Sequence, residues 1–152
     1  MIYTCRFDDP KLITDRWDVK YMIVRSYRSH RAGFKHLPVL SPSSDLFYEY
    51  RALYDAHAWN KDSFNKTYVP KFLKEMHEQN AMDMLNTIYA MSFTNNIALC
   101  CYCKDESLCH RSIIAGLLQG AGAPVQTSSG KDYSKYWDMY NMPLQLMSAL
   151  EK

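Results

Sequence analysis

Apolar positions in the first forty residues come in short runs, and after Ser41 they recur at helical spacing. The stretch 1–10 reads as the start of a strand. Residues 18–25 gather Val19, Tyr21, Met22, Ile23 and Val24 into a second run of strand character. The polar and basic stretch 25–31 follows it, which predicts a loop at that strand's carboxyl end, where open α/β sheets gather ligands. A turn at 40–45 then opens a helix, with Ser43 or Ser44 as N-cap and Asp45 as an anion in the first turn. Leu46, Tyr50, Leu53, Tyr54 and His57 share one side of this helix. A second helix is predicted from about Asp62, carrying Phe64, Tyr68, Phe72, Leu73 and Met76, with Pro70 expected to bend or break it. A third runs from Asn80 through Met84, Leu85 and Ile88 to Met91. Aromatic and Met stripes at this spacing read as core packing rather than as a ligand box.

At 96 the texture changes. Ile97, Ala98, Leu99, Cys100 and Cys101 form a nearly continuous apolar run, the signature of a strand buried on both faces. A polar turn at 104–107 leads into 108–119, where Ile113, Ile114, Leu117 and Leu118 lie at helical spacing and Gly120 and Gly122 supply the stop signal. The segment 124–127 returns as a strand, completing a βαβ unit with the usual right-handed crossover. Residues 131–152 predict a helical C-terminal extension, split near Pro143, with Tyr133, Tyr136, Trp137, Tyr140, Leu144 and Leu146 on its packing side. Together these elements predict one α/β domain over 1–152: a three-layer, Rossmann-like arrangement with a mostly parallel sheet and flanking helices.

Composition narrows the function classes. The 152 residues are 47% hydrophobic and 22% charged, which suits one globular domain and excludes disorder or a rod. Eighteen Lys and Arg face 16 Asp and Glu, a net charge of +2. That lacks the one-sided basic excess of a nucleic-acid coat and disfavours nucleic acid as a partner, despite the basic stretch 25–35. No stretch approaches the roughly 18–20 apolar residues of a membrane span, and the N-terminus lacks a basic segment followed by an apolar one. Four of the five cysteines fall within 100–109. Disulfide scaffolds spread their cysteines along the chain, so free thiols and a reducing, cytoplasmic compartment are expected.

The chemistry concentrates in 101–112, where a strand ends and a helix begins. A helix N-terminus offers unpaired N–H groups and partial positive charge, favouring an anion. Lys104, His110 and Arg111 add cationic groups or donors there, and Ser107 and Ser112 add hydroxyls. Phosphate, carboxylate or sulfonate is the natural guest. Three readings of the cysteines stay open. Cys101-x-Cys103-x5-Cys109-His110 supplies zinc-type ligands, and strand alternation puts Cys101 and Cys103 on one face. This is not the usual zinc knuckle, however, and adjacent Cys109 and His110 fit one tetrahedral ion poorly. No residue is therefore assigned as a metal ligand, and zinc stands as one option. Alternatively, a cysteine beside a helix N-terminus and cations becomes a reactive thiolate, as in the Cys-x5-Arg loops of cysteine phosphatases and rhodaneses. Here seven residues separate Cys103 from Arg111, and the loop has no glycine. Third, the cysteines are small buried residues, and His110 and Arg111 bind without covalent chemistry.

The loop 99–112, a strand ending in Cys, a Lys-containing acidic turn and then Cys109-His110-Arg111 opening a helix, resembles the signature of the family catalogued as domain of unknown function 488. Its Cys-x-Cys opening is similar to a variant found in phage-encoded small proteins. Leu40-Ser41-Pro42-Ser43-Ser44-Asp45-Leu46 is similar to a second family segment, and the run 59–73 to the helix that follows it. The resemblance covers roughly 20–125 and implies a Rossmann-like layered sheet with the motif at a strand-to-helix turn. It carries over positions rather than an activity. Cys101, Cys103, Cys109, His110 and Arg111 match the motif, Ser41 to Ser44 the second segment, and Arg25 and Ser26 a third.

The expected function is binding of a nucleotide or nucleotide-derived phosphorylated small molecule at this loop. Arg111 and Lys104 would neutralise the anion, and His110 would donate or exchange a proton. Arg25, Ser26, Ser41, Ser43, Ser44, Cys101, Ser107 and Ser112 would complete the pocket, with tyrosines offering stacking faces. The phage-like variant sharpens this to sequestration of a signalling nucleotide. The alternative is a hydrolase or transferase acting on a nucleotide or nucleoside. It would use His110 as acid/base, Glu106 or Asp105 as its carboxylate partner, and Cys103 or Cys109 as nucleophile. A third reading is a structural or interaction domain with a zinc-pinned loop. The aromatic-rich C-terminal segment is a candidate homodimer surface.

Overall fold

The computed structural model describes residues 1–26, 32–143 and 146. The expectations for 27–31, and for Leu144 and most of the chain after Pro143, lie outside the described residues. Five strands, β1 (Ile2–Arg6), β2 (Val19–Met22), β3 (Phe34–His36), β4 (Ile97–Cys101) and β5 (Val125–Gln126), form one sheet in the order β3-β2-β4-β1-β5. Every pairing is parallel. β4 lies at the centre, with Ile97 opposite Ile2 on one side and Val19 on the other. All five of its residues are buried, as a strand covered on both faces requires.

Alternation along β4 feeds two cores of unequal size. Ile97, Leu99 and Cys101 join the large one, while Ala98 and Cys100 pack with Cys5 and Leu12 on the opposite face. That thinner layer is closed by α1 (Lys11–Thr14) and Trp17, whose indole N–H donates to the Lys11 carbonyl at 2.9 Å. The result is a three-layer α/β fold. No helix among the described residues is long and apolar enough to cross a membrane.

Strand order opens a crevice above the sheet. The chain leaving β2 runs to β3 at one edge, whereas the chain leaving β4 crosses over β1 to β5 at the other. Adjacent carboxyl ends of β2 and β4 therefore feed connections running in opposite directions. Such a switch point opens a cleft above the sheet, and open α/β sheets bind ligands there.

The helices build the walls. α2 (Ser44–Asp55) is capped by Ser43, whose Oγ accepts the Leu46 N–H at 3.2 Å, and the chain turns at His57 with φ 56°. A short α3 (Lys61–Ser63) opens on a capping box at Asn60, passes through a π-helical turn at Phe64–Tyr68, and continues as α4 (Val69–Glu75). Pro70 was expected to bend or break this helix. The α-helical pattern does break there, and Pro70 sits in the first turn of α4, where its missing N–H is not needed. The π turn just before it, closed by Val69 N–H to the Phe64 carbonyl, absorbs the extra residue.

α5 (Gln79–Met91) buries Ala81, Leu85 and Ile88. α6 (His110–Ala121) ends at Gly122, which adopts the left-handed φ of 103°. Gly120, expected to be part of that stop, lies inside α6 and serves packing. A Cβ there would fall 2.0 Å from Cβ of Trp137, and one on Gly116 would fall 2.0 Å from the Tyr133 carbonyl oxygen. α7 (Lys135–Tyr140) thus docks on a groove that these two glycines open in α6, and Tyr133 and Tyr136 enter the main core.

Candidate functional site

A cavity of about 230 Å³ occupies the switch point. Residues 24–26 after β2 form one side, and 101–103 with 108–110 form the floor. Pro42, the first half of α2, Trp59 and Tyr68 form the remaining wall. The wall is a chain of rings. Tyr50 meets Trp59 edge-on at 4.6 Å between centroids, Trp59 meets Tyr68 at 5.4 Å, Tyr68 stacks on Phe72 at 5.9 Å, and Phe72 lies 5.6 Å from the His110 ring. Phe64, Phe72, Leu73 and Met76 occupy the core as their spacing implies, but Tyr50 and Tyr68 also face the cavity. Burial pushes the Tyr50 hydroxyl up to about 12, helped by the thiols beside it, so the phenol stays protonated and can donate.

Among the described residues, two cations stand at the rim. Arg25 donates to Ser44 Oγ and lies over the Phe47 ring at 5.4 Å and the Tyr48 ring at 5.8 Å. Arg51 pairs with Asp55 at 3.7 Å one helical turn on. Both pairs sit partly in solvent and contribute little to stability.

On the floor the Sγ atoms of Cys101, Cys103 and Cys109 all lie within 4.8 Å of one another, with Cys101 3.8 Å from Cys103 and 3.6 Å from Cys109. All five cysteines are free. Hydrogen bonding from Cys103 and Cys109, with the nearby His110, holds the Cys101 thiol well below its ordinary range. Hydrogen bonding to Cys101 raises Cys103 to about 12, and burial pushes Cys109 well up. Nε2 of His110 lies 2.5 Å from the Ile23 carbonyl, which can only accept, so Nε2 carries a hydrogen. In the neutral ring the Nδ1 lone pair then faces Cys109 Sγ at 3.7 Å.

Arg111 turns the other way. It is 1% exposed, donates to the Cys5 carbonyl at 2.8 Å and the Cys103 carbonyl at 3.4 Å, and brings Nε to 3.4 Å from Glu106 Oε2. Glu106 in turn accepts from the hydroxyls of Thr4, Ser128 and Ser129 and from the N–H groups of Ser128 and Ser129. Burial, the largest single influence, pushes this carboxyl up. The hydrogen bonds from Ser128, Thr4 and Ser129, with the Arg111 charge, outweigh it and leave the carboxyl below its usual range. This polar knot ties the β4–α6 loop to β1 and to the loop after β5. Cys109 caps α6, its sulfur accepting the Arg111 N–H at 3.4 Å, and Ser112 donates to the Cys109 carbonyl at 2.8 Å.

Of the residues singled out by sequence, the cavity brings together Arg25, Ser26, Cys101, Cys103, Cys109 and His110. Arg111 and Ser112 point into the interior. Lys104 and Ser107 face a separate recess beside Ser128 and Ser129, and Ser107 donates to Asp105 at 2.6 Å. Ser41 donates to the Pro38 carbonyl, Ser43 holds Glu75, and Ser44 holds Arg25. The carboxylate expected beside His110 is absent from its bonds. Its partner is the Ile23 carbonyl, and Glu106 belongs to Arg111. Pro42, Phe47, Trp59 and Arg51 line the cavity without having been singled out. Pro42 could have been found, since it stands inside the Leu-Ser-Pro-Ser segment.

Fold and site define a parallel α/β protein with a switch-point pocket floored by a Cys-x-Cys…Cys-His loop. The chain belongs to DUF488-N3a, the active DUF488-N3 subclade, whose family model matches residues 2–122. That match runs from β1 to the cap of α6 and includes the whole pocket; β5 and α7 lie beyond it. No curated protein and no solved structure matches the chain.

Proposed function

We propose that this protein binds a nucleotide-derived small molecule at the switch point, with the base held among Tyr50, Trp59 and Tyr68 and the phosphate held at the rim by Arg25 and Arg51. The observation that carries this reading is the pairing of a ring-lined cavity with two rim arginines above the carboxyl ends of β2 and β4. A volume of about 230 Å³ suits one nucleoside. It falls below the roughly 300–1,000 Å³ of pockets that enclose larger ligands, so phosphate groups project to the open side. Stacking on aromatic rings is worth about 1–3 kcal/mol per base.

A second reading, turnover of the same ligand, is favoured by the family's description as an active subclade and by His110 in the cavity beside three thiols.

The test incubates the protein with nucleotides, cyclic nucleotides and ADP-ribose derivatives, then analyses retained and free fractions by mass spectrometry. A compound retained unchanged supports binding, and a compound converted to product supports turnover. Trp59→Ala and Arg25→Ala are each expected to reduce retention at least tenfold while circular dichroism stays unchanged. No retained or converted compound with the wild type, or full retention by both variants, refutes the proposal.

A further inference from the structure

The floor of the cavity has the geometry of a metal centre. Four ligands around zinc with Zn–S bonds of about 2.3 Å place neighbouring sulfurs about 3.8 Å apart. The Cys101–Cys103 and Cys101–Cys109 separations are 3.8 and 3.6 Å, and the third pair lies within 4.8 Å. The ligands come from three rigidly held places: the end of β4, the loop after it, and the cap of α6. Three sulfurs select a soft or borderline cation over magnesium or calcium.

We propose that Cys101, Cys103 and Cys109 bind one zinc ion through three thiolates, leaving the fourth position open toward the cavity. All three residues line that cavity, which is where an open position would be reached by a ligand. As each S–Zn bond forms, the thiol proton leaves to solvent, and the resulting tris-thiolate zinc carries one net negative charge. The Arg111 side chain is already paired with Glu106, so what steadies the sulfurs is local donation. The Arg111 N–H already donates to Cys109 Sγ, and the Arg111 guanidinium is anchored on the Cys103 carbonyl. His110 Nδ1 lies 3.7 Å from Cys109 Sγ but falls outside the group of donor atoms that lie within 4.8 Å of one another, so the fourth position is left to an exogenous ligand. Three protein ligands with one open position is the pattern of catalytic zinc, whereas structural zinc is closed by four. The inference concerns the floor alone and stands whether or not the cavity binds a nucleotide.

The experiment strips the 152-residue chain with a chelator under reducing conditions and titrates it with Co²⁺, then with Zn²⁺. One equivalent of Co²⁺ should give intense sulfur-to-cobalt charge-transfer bands and tetrahedral d–d bands, both abolished by one equivalent of Zn²⁺. Cys103→Ser, at a half-buried loop position, should weaken binding at least a hundredfold, while Cys5→Ser on the opposite face of the sheet should leave the spectrum unchanged. Imidazole should shift the d–d bands by taking the open position. Wild-type protein that takes up no cobalt, or Cys103→Ser protein that keeps the full spectrum, overturns the site. A cobalt spectrum indifferent to imidazole overturns the open position.

Discussion

Glu106→Gln tests whether the polar knot behind the pocket holds the β4–α6 loop in place. The wild-type carboxylate accepts five hydrogen bonds from Thr4, Ser128 and Ser129 and faces the Arg111 Nε at 3.4 Å. Both side chains are almost wholly buried, at 1% and 4% exposure. Glutamine keeps the shape and one acceptor oxygen, but it turns the other oxygen into a donor facing donors and removes the charge opposite Arg111. Leaving one member of a buried ion pair uncompensated costs about 3–5 kcal/mol. Part of that is spared here, because Arg111 keeps the Cys5 and Cys103 carbonyls. A loss of about 3 kcal/mol is expected, out of a typical total of about 5–15. With a urea slope of about 1–3 kcal/mol per molar, the unfolding midpoint should fall by about 1.5 M. The pH dependence has a definite sign. Because folding lowers the Glu106 pKa, its contribution is complete above the unfolded carboxyl value of about 4.3 and is lost as pH falls through the lower folded value. The gap between wild type and variant should stay constant from pH 8 to 5 and close below about pH 4. A midpoint change worth less than about 1 kcal/mol at pH 7 would refute the reasoning, since carbonyl groups alone would then satisfy Arg111.

Gly120→Ala should destabilise although alanine favours helix by about 1 kcal/mol, because its Cβ would lie 2.0 Å from Trp137 Cβ. A Tm lowered by several degrees and a shifted Trp emission are expected, and a raised Tm would mean that α7 does not dock. Burial raises the Tyr136 hydroxyl to about 12, so this phenol binds its proton more tightly in the folded state. Its contribution is therefore complete below the unfolded value of about 10 and lost as pH rises toward 12. Stability measured by urea unfolding should decline from about pH 10 in the wild type and less steeply in Tyr136→Phe; identical alkaline limbs would contradict this.

Residue patterning by itself determined most of the elements, although β3 (Phe34–His36) and the short α1 (Lys11–Thr14) were not read from it. The unbroken apolar run at 97–101 could only be a strand covered on both faces, and Ser43 and Gly122 mark helix ends through local backbone chemistry. The strand-to-helix turn carrying Cys109 and His110 was legible for the same reason, since each signal lies within one turn of chain. Tertiary structure alone decided what those elements meet. Periodicity says which side of a helix is apolar, not whether that side faces a core or a cavity, so Tyr50 read as core and both packs against the core and lines the pocket. Arg111 sits beside His110 in sequence, yet successive helix positions point about 100° apart. One therefore reaches the Cys5 carbonyl 106 residues away, and the other the Ile23 carbonyl 87 residues away. Gly120 looked like a helix stop because a glycine inside a helix has no local reason to be there; its reason is Trp137. The three sulfurs converge because the short loop from the end of β4 at Cys101 to the cap of α6 at Cys109 folds back on itself, and the sheet order β3-β2-β4-β1-β5 decides which cavity they floor.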